Sequence, residues 1–152
     1  MKPPKSSSRA SAGKLWKTAL EERSSKLNGE KEAPYVKYKQ NPIGFFREVL
    51  EWTPWQKQID ITRALLEKKR VAVASCNGSG KSTMAARIIA WFITTRRDSI
   101  IITTSATSAQ LFGPLWRNIR QAHATSKRPL GGDILTKRWE YAPQWYATGI
   151  AT

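Results

Sequence analysis

An α/β fold, a parallel sheet with flanking helices, is predicted by three observations. Val71–Ala74 is an uninterrupted apolar run, as expected of a strand buried on both faces of a parallel sheet. A glycine-containing loop follows, and then Met84, Ile88, Trp91 and Phe92 recur at helical spacing. Ser99–Thr104, SIIITT, is a second strand rich in β-branched residues. Strand, helix and strand in close succession make one βαβ unit, whose crossover is expected to be right-handed.

The remaining elements follow in order. Residues 1–40 read as a basic, largely disordered tail with a possible short helix at Leu15–Leu27, ended by Asn28-Gly29, and a polar linker at 28–40. Residues 41–152 read as the globular part. Asn41-Pro42 marks a helix start, with Pro42 at the first helical position and Ile43, Phe46, Val49 and Leu50 as its apolar stripe. Thr53-Pro54 is expected to open a second helix, with Thr53 and Gln56 spaced as a capping box. Its end falls at Lys68-Lys69-Arg70, a basic cluster that complements a helix dipole. Thr107–Gln110 is spaced to cap a further helix carrying Leu111, Leu115 and Ile119, with Pro114 in its first turn or at a kink. Ile134–Thr152 holds strand-like fragments rich in Trp and Tyr, with no assigned place in the sheet. Trp52, Trp55, Trp91 and Trp116 lie on helical apolar stripes and are expected in the core.

The loop between the first strand and its helix, Ser75–Thr83, has the residues of a phosphate-binding loop. Gly78 and Gly80 let the backbone approach a ligand through conformations that other residues avoid. N–H groups of the loop and of the first helical turn then converge on a polyphosphate, favoured by the helix dipole. Ser75, Cys76, Asn77, Gly78, Ser79, Gly80, Lys81, Ser82 and Thr83 form the expected contact set. Lys81 brings a point charge to the β/γ-phosphates, and the Ser82 hydroxyl is placed to bind Mg²⁺. The full pattern G-x-x-x-x-G-K-[ST] is met at Gly80-Lys81-Ser82, whereas its first position is Ser75. The fold class is therefore of the P-loop NTPase type, and the expected cofactors are ATP and Mg²⁺.

The chain of 152 residues predicts one domain. Its formal net charge is +15, with 26 basic and 11 acidic side chains. Residues 1–40 carry +6 of this and residues 41–152 carry +9. Such a surplus in both parts points to an anionic polymer, most simply nucleic acid, the alternative being a solvated surface. No apolar run approaches the length of a membrane span, and no signal peptide opens the chain. The single cysteine, Cys76, excludes an internal disulfide and reads as a small space-filler, with a reagent-accessible thiol as the alternative. His123 has no second ligand beside it in the sequence, which argues against a metal role.

With these residues in hand, the chain from Asn41 onward resembles the N-terminal part of the ATPase domain of phage terminase large subunits. These are ATP-driven motors that package viral DNA into procapsids. The resemblance rests on Trp52–Gln56 (WTPWQ), on the deviant loop at Ser75–Thr83, and on Ser105–Gln110 (SATSAQ) after the second strand. A non-glycine first loop position is common in that family. The resemblance implies that Gln56 hydrogen-bonds adenine, a role that competes with the capping box for one amide. It implies that Ser105–Gln110 lies near the nucleic-acid track, with helix capping the competing use. It further implies double-stranded DNA, the portal protein and the small terminase subunit as partners, a homo-oligomeric ring, and the host-cell cytoplasm as the location.

Two departures bear on turnover. Many terminases carry an arginine in the loop where this chain has Asn77. A motor of this class also needs an apolar strand ending in Asp-Glu, to hold Mg²⁺ and activate water. After Thr83 the only acids are Asp98, Asp133 and Glu140, and none follows such a run. The expectation is a truncated ATPase domain, without the nuclease domain, that binds nucleotide and hydrolyses it slowly. Two alternatives stand beside it: a basic nucleic-acid-binding module, and an inactive prophage remnant with an exposed sheet edge.

Overall fold

A computed structural model of the chain describes residues 32–76 and 78–151. The tail at residues 1–13 and the helix expected at Leu15–Leu27 lie outside those residues.

Packing begins earlier than the sequence reading places it. The supposed linker is part of the core from Ala33 onward, and a single 3₁₀ turn at Val36–Tyr38 follows. Tyr35 and Tyr38 are buried and meet Phe45 edge-on at ring distances of 5.6 and 5.9 Å. Two tyrosines within a charged stretch supply the buried area, and polar composition hides them.

Helix α1, Pro42–Glu48, starts as predicted. The side chain of Asn41 accepts from Gly44 N–H at 3.0 Å, and Pro42 occupies the first turn, where a missing N–H costs nothing. Phe45, Phe46 and Val49 are fully buried. Each such side chain contributes about 1.5–3 kcal/mol through removal from water.

Helix α2, Gln56–Glu67, starts later than Thr53. Trp55 is extended (φ −84°, ψ 169°) and stands before the first turn. The capping contact comes from Gln58, whose Oε1 accepts Trp55 N–H at 3.1 Å. A glutamine three residues after the cap position reaches back in this way. The Thr53–Gln56 capping box is therefore replaced by a Trp55–Gln58 contact. Lys68, the residue after the helix, is already extended, so the basic cluster lies beyond the last turn.

Val71–Ala74 is not a strand, which corrects the sequence reading. No neighbouring strand among the described residues pairs with it. Without such a partner its peptide groups remain with solvent, and Val73 is 45% exposed. Helix α3, Lys81–Thr95, follows the loop and is largely buried from Met84 onward.

Strand β1, Ile100–Ser105, pairs in parallel with β4, Trp145–Ala151, in register from Ile100↔Tyr146 to Ser105↔Ala151. Strands β2, Asp133–Ile134, and β3, Arg138–Ala142, continue the sheet antiparallel, in the order β1-β4-β3-β2. The parallel partner of β1 is thus the C-terminal strand, and the predicted βαβ unit with Val71–Ala74 is not formed. The fold is mixed α/β with one parallel strand pair and flanking helices.

Between β1 and β2 run a single turn α4, Ser108–Gln110, a π-helical turn at Leu111–Leu115, and helix α5, Trp116–Thr125. Thr107 caps α4 as predicted, accepting from Gln110 N–H at 3.2 Å. Pro114 lies in the π-helical turn, where the altered bonding pattern accommodates its missing N–H. On the inner face of the sheet, Trp139, Trp145 and Ala147 are buried. Ile100, Ile102 and Ile150 on its outer face are half exposed or more. Trp91 and Trp116 are buried as predicted, while Trp55 is 54% exposed. His123 packs edge-on against Trp139 at 5.1 Å, and its Nε2 meets the Gly131 carbonyl. Among the described residues no helix is long and apolar enough to cross a membrane.

Candidate functional site

The loop at Ser75–Gly80 stands at the N-terminus of α3. Gly78 and Gly80 both have positive φ, 77° and 80°, the left-handed region that glycine enters without steric cost. Gly80 directly precedes the helix. The first amide of α3 to bond within the helix is that of Met84, to Gly80 O at 2.9 Å. The N–H groups of Lys81, Ser82 and Thr83 thus lack an intrahelical acceptor, and no acidic side chain occupies this turn. Unpaired amides at the positive end of a helix dipole attract an anion.

The side chain of Lys81 folds over the loop. Its Nζ donates to Ser75 O at 3.0 Å and to Cys76 O at 2.5 Å. Ser79 Oγ donates to Cys76 O at 2.9 Å and lies 2.9 Å from Ser75 Oγ. These bonds close the loop into a ring whose charged member is a lysine. The hydroxyl-bearing residues Ser82 and Thr83 are half-buried in the first turn. Hydrogen bonds thus join Ser75, Cys76, Ser79 and Lys81, Gly78 and Gly80 carry the turn, and Ser82 and Thr83 follow in the first turn of α3. Asn77 lies outside the described residues. Cys76 is an exposed free thiol, so the reading of it as a space-filler does not hold.

An open groove of about 730 Å³ adjoins the loop. Helix α2 forms one wall, Val71–Ser75 another, and Met84, Ala85 and Ile88 of α3 a third. Its lining is largely apolar, and Trp55 stands at it half exposed. The groove joins a phosphate-sized cradle to an apolar trough of small-ligand size.

Gln56 does not line this groove. Its Nε2 donates to Asp60 Oδ1 at 2.8 Å, one helical turn along. The glutamine beside the loop is Gln58, 7% exposed. Its Nε2 lies 3.5 Å from where a Cβ on Gly80 would sit. Sequence spacing gave no reason to prefer Gln58, because the capping register moved by two residues. Glu140 is held by Arg138 at 2.8 Å and Asp98 stands 3.5 Å from Arg97. Neither lines the groove; the carboxylate that does is Asp60.

The fold and site together define a mixed α/β chain with a lysine-closed glycine loop at a helix N-terminus. No family model matches this chain, nor does any curated protein or solved structure.

Proposed function

We propose that residues 75–83 bind the triphosphate of Mg²⁺·ATP, and that the chain is the ATP-binding part of a terminase large subunit that powers DNA packaging. The observation that carries the reading is the left-handed Gly80 placed directly before the amides of Lys81–Thr83, which have no intrahelical acceptor, with the Lys81 ammonium over the same loop. Phosphate oxygens replace the Ser75 and Cys76 carbonyls as acceptors for Lys81, and they satisfy the three amides. Ser82 supplies a hydroxyl for Mg²⁺, and bound Mg²⁺ neutralises phosphate charge. The apolar trough beside the loop offers room for a base.

Binding is separate from turnover. Among the described residues Asp60 is the carboxylate that lines the groove, and one of its oxygens accepts from Gln56. No described strand ends in an acidic pair beside the loop, the element that activates water in motors of this class, so hydrolysis is expected to be slow. The surplus of +15 supports double-stranded DNA as the polymer partner, with a phosphate-dominated, salt-sensitive affinity. A portal protein, a small terminase subunit, a subunit ring and the host cytoplasm belong to the same reading through the resemblance at Trp52–Gln56, Ser75–Thr83 and Ser105–Gln110.

Titration calorimetry with ATP and magnesium tests this reading. The chain is expected to release heat with saturation, and Lys81→Ala is expected to abolish it. A silent wild-type titration, or an unaltered Lys81→Ala titration, overturns it.

A further inference from the structure

The Gln58 side chain is the one glutamine amide in the groove wall with a half of its bonding capacity left open. Its Oε1 is committed to Trp55 N–H at 3.1 Å. Because that partner is a donor, the amide cannot turn over, and its NH₂ group must face away from the cap. No acceptor among the described residues meets Nε2, although the residue is 93% buried and lines the groove. The main chain at this point is held as well, since Thr62 Oγ1 donates to Gln58 O at 2.7 Å. Among the described residues the fully buried donors without a partner are those of Arg87, so Gln58 Nε2 reaches the solvent of the groove as a fixed donor open to an external acceptor.

Its position identifies the acceptor. Nε2 lies 3.5 Å from the position of a Cβ on Gly80, next to the residue that leads into the free amides of Lys81, Ser82 and Thr83. Of the polar groups that line the same groove, Asp60 accepts from Gln56 Nε2 and the Ser75 and Ser79 hydroxyls bond each other, while Ile61, Met84 and Ile88 are apolar. We propose that Gln58 Nε2 donates to an anionic oxygen of the bound polyphosphate, making α2 a second arm of the phosphate site. This rests on the nucleotide reading above and adds a contact that the loop motif does not contain. It also assigns Gln58 to the phosphates and not to the base, so the contact is the same for every nucleoside triphosphate and for base-free tripolyphosphate.

The test measures the affinity of the full chain for ATP and for inorganic tripolyphosphate, each with magnesium. Gln58→Glu keeps an oxygen for Trp55 N–H and removes the donor, so the melting temperature is expected to hold. Gln58→Met removes the donor without adding charge and separates the two effects. Both variants are expected to lose about ten- to a hundredfold in affinity, equally for the two ligands. Unchanged tripolyphosphate binding in Gln58→Met overturns the assignment. So does a loss confined to ATP, which would place the amide on the base. If the wild-type chain binds neither ligand, or Lys81→Ala binds both normally, the nucleotide reading itself fails, and this inference with it.

Discussion

The ammonium of Lys81 lies 2.5 Å from the carbonyl oxygen of Cys76, five residues earlier in the chain. Together with its bond to Ser75 O, this makes the lysine the internal clasp of its own loop. The clasp is exposed, so water competes for both carbonyls. Lys81→Ala is therefore expected to lower global stability by less than about 1 kcal/mol. Hydrogen exchange at the amides of residues 78–80 should rise at the same time. A large loss of stability in a urea melt would mean that the clasp supports more than the loop.

Gly149 on β4 is a packing position. A Cβ there would stand 2.6 Å from Phe112 Cε1 and 2.7 Å from Trp116 Nε1. Trp116 is held in place by its bond to Thr103 Oγ1 at 3.1 Å, so it has little room to yield. Gly149→Ala is expected to destabilise by about 1–3 kcal/mol through overpacking. Gly78→Ala provides the contrast, since its Cβ meets nothing within 4 Å and the cost arises from φ alone. Equal thermal melts for Gly149→Ala and wild type would show that the turn at Leu111–Leu115 moves aside freely.

Burial pushes the Tyr141 phenol well above the ordinary tyrosine value of 10.0, and Tyr35 adds to the rise. Its hydroxyl donates to the Leu130 carbonyl. A raised folded-state pKa means that the folded chain holds its proton more tightly than the unfolded chain does. The stability this contributes is complete below pH 10 and is lost as pH rises above it. Burial raises Tyr35 in the same sense, with Arg128 opposing. Urea midpoints are expected to fall between about pH 10 and 11.5, and Tyr141→Phe should flatten part of that decline. An identical alkaline decline in the variant would remove Tyr141 as its source.

Arg87 buries Nε and Nη1 with no acceptor for either among the described residues, and burial lowers its pKa. Its guanidinium stands 5.5 Å from the Trp52 ring, a contact of about 0.5–1 kcal/mol. Unsatisfied buried donors cost more than this contact returns. Arg87→Met, of similar length and without donors, is expected to be neutral or stabilising by about 1 kcal/mol. A loss above about 2 kcal/mol in a denaturant melt would show that the guanidinium has an acceptor in solution.

Local chemistry was legible in the sequence, and long-range pairing was not. The cap at Asn41-Pro42, the cap at Thr107 and the turn from Gly80 into Lys81 each depend on a few adjacent residues, and each is present where expected. Val71–Ala74 misled because an apolar run announces burial without supplying the strand that must lie beside it. The pairing of β1 with β4 spans more than forty residues, and nothing in SIIITT specifies its partner. Tyr35 and Tyr38 were hidden for the opposite reason, as apolar area inside a charged segment. Gln58 was missed because two glutamines stand two residues apart, and only the true helix start decides which of them turns toward the loop.

The far end of α3 is anchored three times. Tyr35 N–H bonds Thr94 O at 3.0 Å, Trp145 Nε1 bonds Ile93 O at 2.8 Å, and Trp91 Nε1 bonds Tyr38 O at 2.9 Å. If an anion binds at the loop, a helix so fastened is expected to stay in place, and any rearrangement to fall at the turn carried by Gly78 and Gly80. Its response time is then that of a small loop, nanoseconds to microseconds, and not the slower pace of moving domains.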